Sequence, residues 1–285
     1  VLHTMNEFVS PMTLQDIHSQ HDHRNIEIDK VGVKSIRYPI VVLDRKNTVQ
    51  HTVATINMYV SLPHQFKGTH MSRFIEILNR YRHGISTKNI SEILVQMKQR
   101  LKSESAHIEI SFPFFIEKQA PVTKAKSLME YACMIVGSHK EKLDLMVGIA
   151  VPVTTLCPCS REISNYGAHN QRSIVRVNVR FKKFFWIEDL ISLVEHAAVN
   201  EIYPLLKRPD EKFVTERAYE NPMFAEDVVR AVAEQLDQDP NITWYSIESE
   251  NQESIHNHSA YALVTRDRRA SEPCAVLPDG AMTSS

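Results

Sequence analysis

Residues 152–173 read PVTTLCPCSREISNYGAHNQRS and put Cys157, Cys159 and His169 into one turn-rich connection. An apolar run ends before it near Leu156, and an alternating pattern begins after it near Gln171. Thiol and imidazole together are soft and borderline ligands, so the stretch points to a bound metal or a reactive thiolate. Cys-Pro-Cys lacks the paired Cys-x-x-Cys knuckles of structural zinc, and spacing alone leaves two cysteines in a plain turn as the alternative.

Two later segments gather acids and bases. RPDEKFVTERAYENPMFAED offers Glu211, Glu216, Glu220 and Glu226, and ESENQESIHNHSAYA offers Glu253, His256 and His258. The two histidines are read at the mouth of a strand, where residues two apart share a face and can act as joint ligands. For each glutamate the ordinary alternative is a solvated carboxylate, and for the histidines a hydrogen-bonded strand end.

The elements that must position these groups follow from periodicity. From Asp29 the chain reads as strands: VGVKSIRYPIVVL, then TVATINMYVSL, in which Ala54, Ile56, Met58, Val60 and Leu62 alternate with polar neighbours. Helical spacing follows, with Phe74, Ile75 and Leu78 on one helix and, after the breaker His83-Gly84, Ile90, Ile93, Leu94, Met97 and Leu101 on a second. Asn89 with Glu92 fits a capping-box start for the second. HIEISFPFFI and SLMEYACMIV return to strands through a turn at Pro121.

The second half repeats this β-β-α-α-β-β order. Its strands are LDLMVGIAVPVTTL, RSIVRVNVRF, ITWYSIESE and HSAYALVTR; its helices carry Ile187, Leu190, Ile191 and Val194, then a segment begun by Asn221-Pro222 and running to about Leu236. Two tandem modules, 29–139 and 140–269, make an α+β protein in which each antiparallel four-stranded sheet has two helices on one face. Residues 1–28 read as an N-terminal arm, with His3 and the run HSQHDH solvated, and 270–285 as a disordered tail. Open sheet edges predict association between subunits.

Composition sets outer limits. A chain of 285 residues with 43% hydrophobic content can bury a sizeable core, and a net charge of -1 recruits neither nucleic acid nor an anionic membrane. The longest apolar run, 145–153, is far short of the roughly 20 residues of a membrane span, and no signal-peptide order is present, so a cytoplasmic protein is expected. Of 4 cysteines, Cys133 reads as a buried hydrophobe and Cys274 lies in the tail. Neither a dinucleotide fingerprint nor a P-loop occurs, so any nucleotide must be held another way.

The three segments above, with KGTHMSRF in the first half, resemble the signature segments of GTP cyclohydrolase type IB, a family built on the tunnelling fold; the likeness runs from about Asp22 to Arg266. The resemblance implies conversion of GTP and water to 7,8-dihydroneopterin triphosphate and formate, the entry to tetrahydrofolate synthesis. It implies one divalent metal per site (manganese, iron or zinc) on Cys157, His169 and Glu211, with no organic cofactor. Cys157, Glu253 and His256 would be catalytic, His256 as ligand or proton carrier. Glu226 would anchor the guanine, with Glu216 and Glu220 as alternatives. His70 and Arg73, with Arg161 and Arg172, would meet the triphosphate. The resemblance further implies a homo-oligomer, a tetramer ahead of a dimer. The competing enzyme is a tunnelling-fold deazaguanine nitrile reductase with a cysteine nucleophile, marked by dependence on NADPH instead of metal.

Overall fold

The structure is a computed structural model and describes residues 18, 20–81, 85, 87–198 and 200–269. His3, the His83-Gly84 breaker, Cys274 and the tail lie outside the described residues.

The elements in order are β1 (Ile28–Asp44), β2 (Thr48–Leu62), α1 (Met71–Arg80), α2 (Thr87–Leu101), β3 (Ala106–Gln119), β4 (Lys126–His139), β5 (Leu143–Leu156), α3 (Pro158–Ile163), β6 (Asn170–Phe181), α4 (Ile187–Ala197), α5 (Arg208–Glu220), α6 (Ala225–Gln238), β7 (Ile242–Gln252) and β8 (Ser259–Asp267). The strands form one eight-stranded antiparallel sheet in sequence order. The two halves are joined through β4 and β5, paired from Ala132↔Ala150 to His139↔Leu143, and β1 and β8 are the sheet's edges.

Alternation decides which face is covered. In β2 the side chains of Ala54, Ile56, Met58 and Val60 are buried, and in β6 those of Val175, Val177 and Val179. The helices lie on that face, burying Phe74, Ile77 and Leu78 from α1, Ile90, Ile93, Leu94 and Met97 from α2, and Leu190, Ile191 and Val194 from α4. Burying a Leu or Ile side chain contributes about 1.5–3 kcal/mol each, so this layer supplies most of what holds the sheet to the helices. Ile75, expected on the α1 stripe, is instead exposed, and Ile77 takes the inward position. Near the tip of the β1–β2 hairpin, side chains bridge β2 to β3: Gln50 exchanges bonds with the Phe115 backbone at 2.8 and 2.9 Å, and Thr52 Oγ1 donates to the Pro113 carbonyl at 2.9 Å.

The second half departs from the expected pattern at its helices. Asn221 does not start α6: its N–H bonds the carbonyls of Arg217 and Ala218, and its Nδ2 donates to the Arg217 carbonyl, so it closes α5. Helix α6 starts at Ala225, with Asp227 accepting from the Phe224 N–H at 3.0 Å. Helix α5 itself carries no apolar stripe, since only Asp210 and Ala218 are buried in it. Helix α2 begins at Thr87, which puts Asn89 inside its first turn instead of at the cap.

Register fixes which segments share an end of the sheet. One end gathers the β3–β4 turn, the β5–β6 connection and the β7–β8 connection. The opposite end gathers the close of β2, the start of β3 and the β4–β5 turn. A strand the length of β5, at about 3.3 Å per residue, separates the two ends by on the order of 40 Å.

Candidate active site

Cys157 leaves β5 and caps α3. Its Sγ accepts from the Ser160 N–H at 3.4 Å, and Pro158 occupies the first helical turn, where a missing N–H costs nothing. The chain then returns through Gly167, whose φ of 117° suits glycine, to place the His169 carbonyl 3.1 Å from the Cys157 N–H. One backbone bond therefore joins the two candidate ligands.

Behind His169 stands the β7–β8 connection. Ser254 Oγ lies 3.3 Å from His169 Nδ1 and Glu253 Oε2 lies 3.9 Å from it, with both the imidazole and the Glu253 side chain largely buried. A hydroxyl and a carboxylate at Nδ1 orient the ring so that Nε2 is the nitrogen presented to a ligand. His256 and His258 follow in the same connection. They precede β8, so strand geometry does not govern them, yet their rings stack at 5.0 Å and 19°. Both are exposed.

Glu226 reaches this end through the α5–α6 connection. The Met223 N–H donates to the Leu156 carbonyl at 3.2 Å, one residue before Cys157, and Glu226 follows on the exposed face of the first turn of α6. Glu216 is exposed and paired with Lys212 at 2.5 Å. Arg161 of α3 lies over the Tyr219 ring at 4.9 Å, which holds α3 against the end of α5, and Arg172 is exposed on β6 opposite Gln252.

Glu211 stands on the exposed face of the first turn of α5. Among the described residues no three His, Cys, Asp or Glu side chains already stand together as a metal set. The thiol of Cys157, the imidazole of His169 and the exposed carboxylate of Glu211 are a mixed sulfur, nitrogen and oxygen donor set whose chemistry suits a divalent metal.

His70 and Arg73 lie at the opposite end of the sheet. His70 precedes α1, its ring 4.7 Å from that of His18, and Arg73 donates to the Arg100 carbonyl at the close of α2 at 3.0 Å. The arm docks here: the Asp22 N–H donates to the Gln65 carbonyl, the Lys67 N–H to that of Gln20 and the Gly68 N–H to that of His18. The structure thus brings Cys157, His169, Glu253, His256 and Glu226 to one end and keeps His70 and Arg73 away from them.

Two buried polar clusters near the first end were not visible in the sequence reading. Lys118 Nζ bonds Glu195 at 2.7 Å and Glu201 at 2.9 Å, Tyr131 donates to Glu195 at 2.6 Å, and the ammonium lies over the Tyr203 ring at 4.6 Å. Burial and the neighbouring Glu201 push the Tyr203 phenol up to about 12. Glu201 bridges Val153, and the Thr154 N–H donates to the Asn200 carbonyl, which ties this cluster to the end of β5. The second cluster is Asp210, fully buried, which accepts from the N–H groups of Val122, Thr123 and Lys207 and from the Thr123 hydroxyl. Burial alone would raise its carboxyl, but these donors outweigh it and hold it well below the usual carboxylate range. Pro209 in the first turn, Asp210 and Glu211 beside it and Arg217 in the last turn are the sequence signals for α5. Cys133 is buried in the core, and burial pushes its thiol up to about 12, which suits an inert thiol.

Solved structures that resemble this fold include uricases, at identities that show the fold alone. That from Arthrobacter globiformis has a TM-score of 0.52 at 10% identity, covering 85% of this chain and 94% of its own; that from Bacillus fastidious has 0.52 at 9%, covering 92% and 100%. The architecture is therefore that of the tunnelling fold.

Within that class the family is specific. The family model described as type I GTP cyclohydrolase folE2 matches residues 14–262. The GTP cyclohydrolase FolE2 of Syntrophus aciditrophicus is 62% identical over 253 residues, covering 88% of this chain and 99% of its own, and that of Geotalea uraniireducens is 59% identical over 256 residues, covering 90% and 94%. The chain belongs to the type I GTP cyclohydrolase FolE2 family, the type IB enzymes.

Proposed function

We infer that this chain hydrolyses GTP to 7,8-dihydroneopterin triphosphate and formate, as the first step of tetrahydrofolate synthesis. Family membership across residues 14–262 supports this, and the observation that carries it to particular residues is the joined pair Cys157 and His169 with Glu253 behind the imidazole. The same membership leaves the nitrile reductase reading without support.

The reaction opens the imidazole ring of guanine at C8 and then releases that carbon as formate. Cys157, His169 and Glu211 would hold one divalent metal ion, which when bound supplies a Lewis acid; manganese, iron and zinc all suit a mixed donor set. Ser254 at hydrogen-bond distance and the Glu253 carboxylate just beyond it would orient His169 through Nδ1 and keep Nε2 forward. His256, exposed in the same connection as Glu253 and Ser254, would deliver the proton that the imidazole nitrogen of guanine needs on opening, a role suited to an imidazole as general acid. Glu226 would accept from guanine N1–H and the 2-amino group. Adenine offers no N1–H, so a carboxylate committed to that pair would be left unsatisfied by it.

Of the residues that would meet the triphosphate, Arg161 and Arg172 stand at the Cys157 end, whereas His70 and Arg73 stand across the sheet from it. A nucleoside triphosphate is far shorter than the separation of on the order of 40 Å between the sheet ends. These two residues would therefore serve the site of a neighbouring copy in a homo-oligomer, whose contacts the β1 and β8 edges are free to make. No helix among the described residues is long and apolar enough to cross a membrane.

The test is to incubate chelator-treated protein with GTP, with and without manganese, zinc or ferrous ion, while following formate and the fluorescent oxidised pterin. Product restored by metal is the expected result. Folded protein that binds GTP yet yields no formate with any of the metals would overturn the reading.

A further inference from the structure

Asp210 and Glu211 are neighbours with opposite surroundings. Asp210 is 0% exposed with both carboxylate oxygens committed; Glu211 is exposed. Three of the four donors to Asp210 come from the β3–β4 turn in the first half of the chain, 87 or 88 residues away: the Val122 N–H at 2.8 Å, the Thr123 N–H at 2.8 Å and the Thr123 hydroxyl at 2.5 Å. The fourth is the Lys207 N–H at 3.0 Å, which closes the first turn of α5 on the same carboxylate. The Glu211 N–H completes that turn on the Lys207 carbonyl at 2.9 Å.

Helix α5 has little else to fix it at this end. Its buried residues are Asp210 in the first turn and Ala218 in the last, and its C-terminal end is held separately, through Asn221 to Asn200 and through Tyr219 under Arg161. Where the first turn points is consequently decided by one buried carboxylate and one turn of the other module. We propose that Thr123 and Asp210 form a latch through which the first half of the chain positions Glu211 for metal binding, making both positioning residues for a site whose ligands all lie in the second half. This rests on the metal reading above and adds to it a residue of a segment that carries no ligand. Partners that orient a ligand are commonly worth tenfold to a hundredfold in metal affinity.

Thr123→Val removes the hydroxyl and keeps the backbone bonds and the shape; Thr123→Ser keeps the hydroxyl. The full-length variants are titrated with cobalt(II), reading the absorption of the thiolate-bound ion, with the urea midpoint measured alongside. The expected result is binding about tenfold weaker or more in Thr123→Val, restored in Thr123→Ser, at urea midpoints that do not track the loss. In a Glu211→Gln background, Thr123→Val should cost nothing further, because residues acting through one another are not additive. Wild-type affinity in Thr123→Val, equal losses in the valine and serine variants, or additive losses with Glu211→Gln would each overturn the latch. Wild-type protein that shows no thiolate–cobalt absorption would overturn the metal reading itself, which is a separate outcome.

Discussion

At the scale of single residues, the candidate site divides into groups whose neighbours are legible locally and groups whose neighbours are not. Cys157 and His169 are 12 positions apart, and the turn residues between them, Gly167 included, announce a tight return. Asp210, Lys118 and Glu195 look in sequence like any surface charges, because the partners that bury them lie 64 to 88 residues away; only the Lys207 N–H that caps α5 on Asp210 is local. Histidines 256 and 258 err the other way: a strand reading put them on one face, whereas they sit in a connection and meet by ring stacking. Glu226 carries the sharpest prediction at this scale. It stands exposed beside a cap that Asp227 already completes, so Glu226→Gln leaves helix α6 intact while removing the charge and replacing one of the two acceptor oxygens for the guanine edge by an amide donor. Losing a hydrogen bond to a charged group costs about 1.5–3 kcal/mol, which is roughly a tenfold to hundredfold rise in KM for GTP. Steady-state kinetics with metal content measured in parallel checks it, and an unchanged KM would move the anchor to Glu216 or Glu220.

At the scale of elements, the strands follow their alternation closely because each has one buried face, and a shift of one residue would turn every buried valine or isoleucine to solvent. Helix α5 escaped notice for the converse reason: a helix held by a buried carboxylate and a capping asparagine needs no apolar stripe. The seam between the halves depends on the same kind of contact. Lys118 of β3 neutralises Glu195 of α4 and Glu201 beyond it, in a cluster where Lys118 and Glu195 are each less than a tenth exposed. Lys118→Met would leave two carboxylates facing each other in the interior, and breaking a buried pair in this way costs about 3–5 kcal/mol. Urea unfolding should show a loss of that order, partly recovered by Lys118→Met with Glu195→Gln, which removes one of the stranded charges. A change below about 0.5 kcal/mol, the range of ordinary surface substitutions, would mean that water reaches the cluster and that the seam is held by apolar packing alone.

At the scale of the whole molecule, the separation of KGTHMSRF from the cysteine segment is a property of topology that no motif contains. Both follow strands of one connected sheet, but the antiparallel order sends the close of β2 and the close of β5 to opposite ends. If one GTP touches Cys157 and Arg73, the two must belong to different chains, and this can be tested without knowing the oligomer's geometry. Cys157→Ala and Arg73→Ala each remove one half of the contact and should each be nearly inactive alone. When the two are unfolded together and refolded as an equal mixture, a site composed of two chains draws each intact half independently, so about one quarter of the sites recover both. Activity returning to about a quarter of the wild-type level is the expected outcome, whereas sites built within one chain would stay inactive at every mixing ratio, since no chain in the mixture carries both residues. Arg73 also bonds the Arg100 carbonyl, so its loss could loosen α1 against α2 instead of the grip on phosphate. Pairing Cys157→Ala with His70→Ala in the same experiment probes a second position at this end, whose ring packs against that of His18, and it should complement equally well only if this end of the molecule serves a neighbour's substrate.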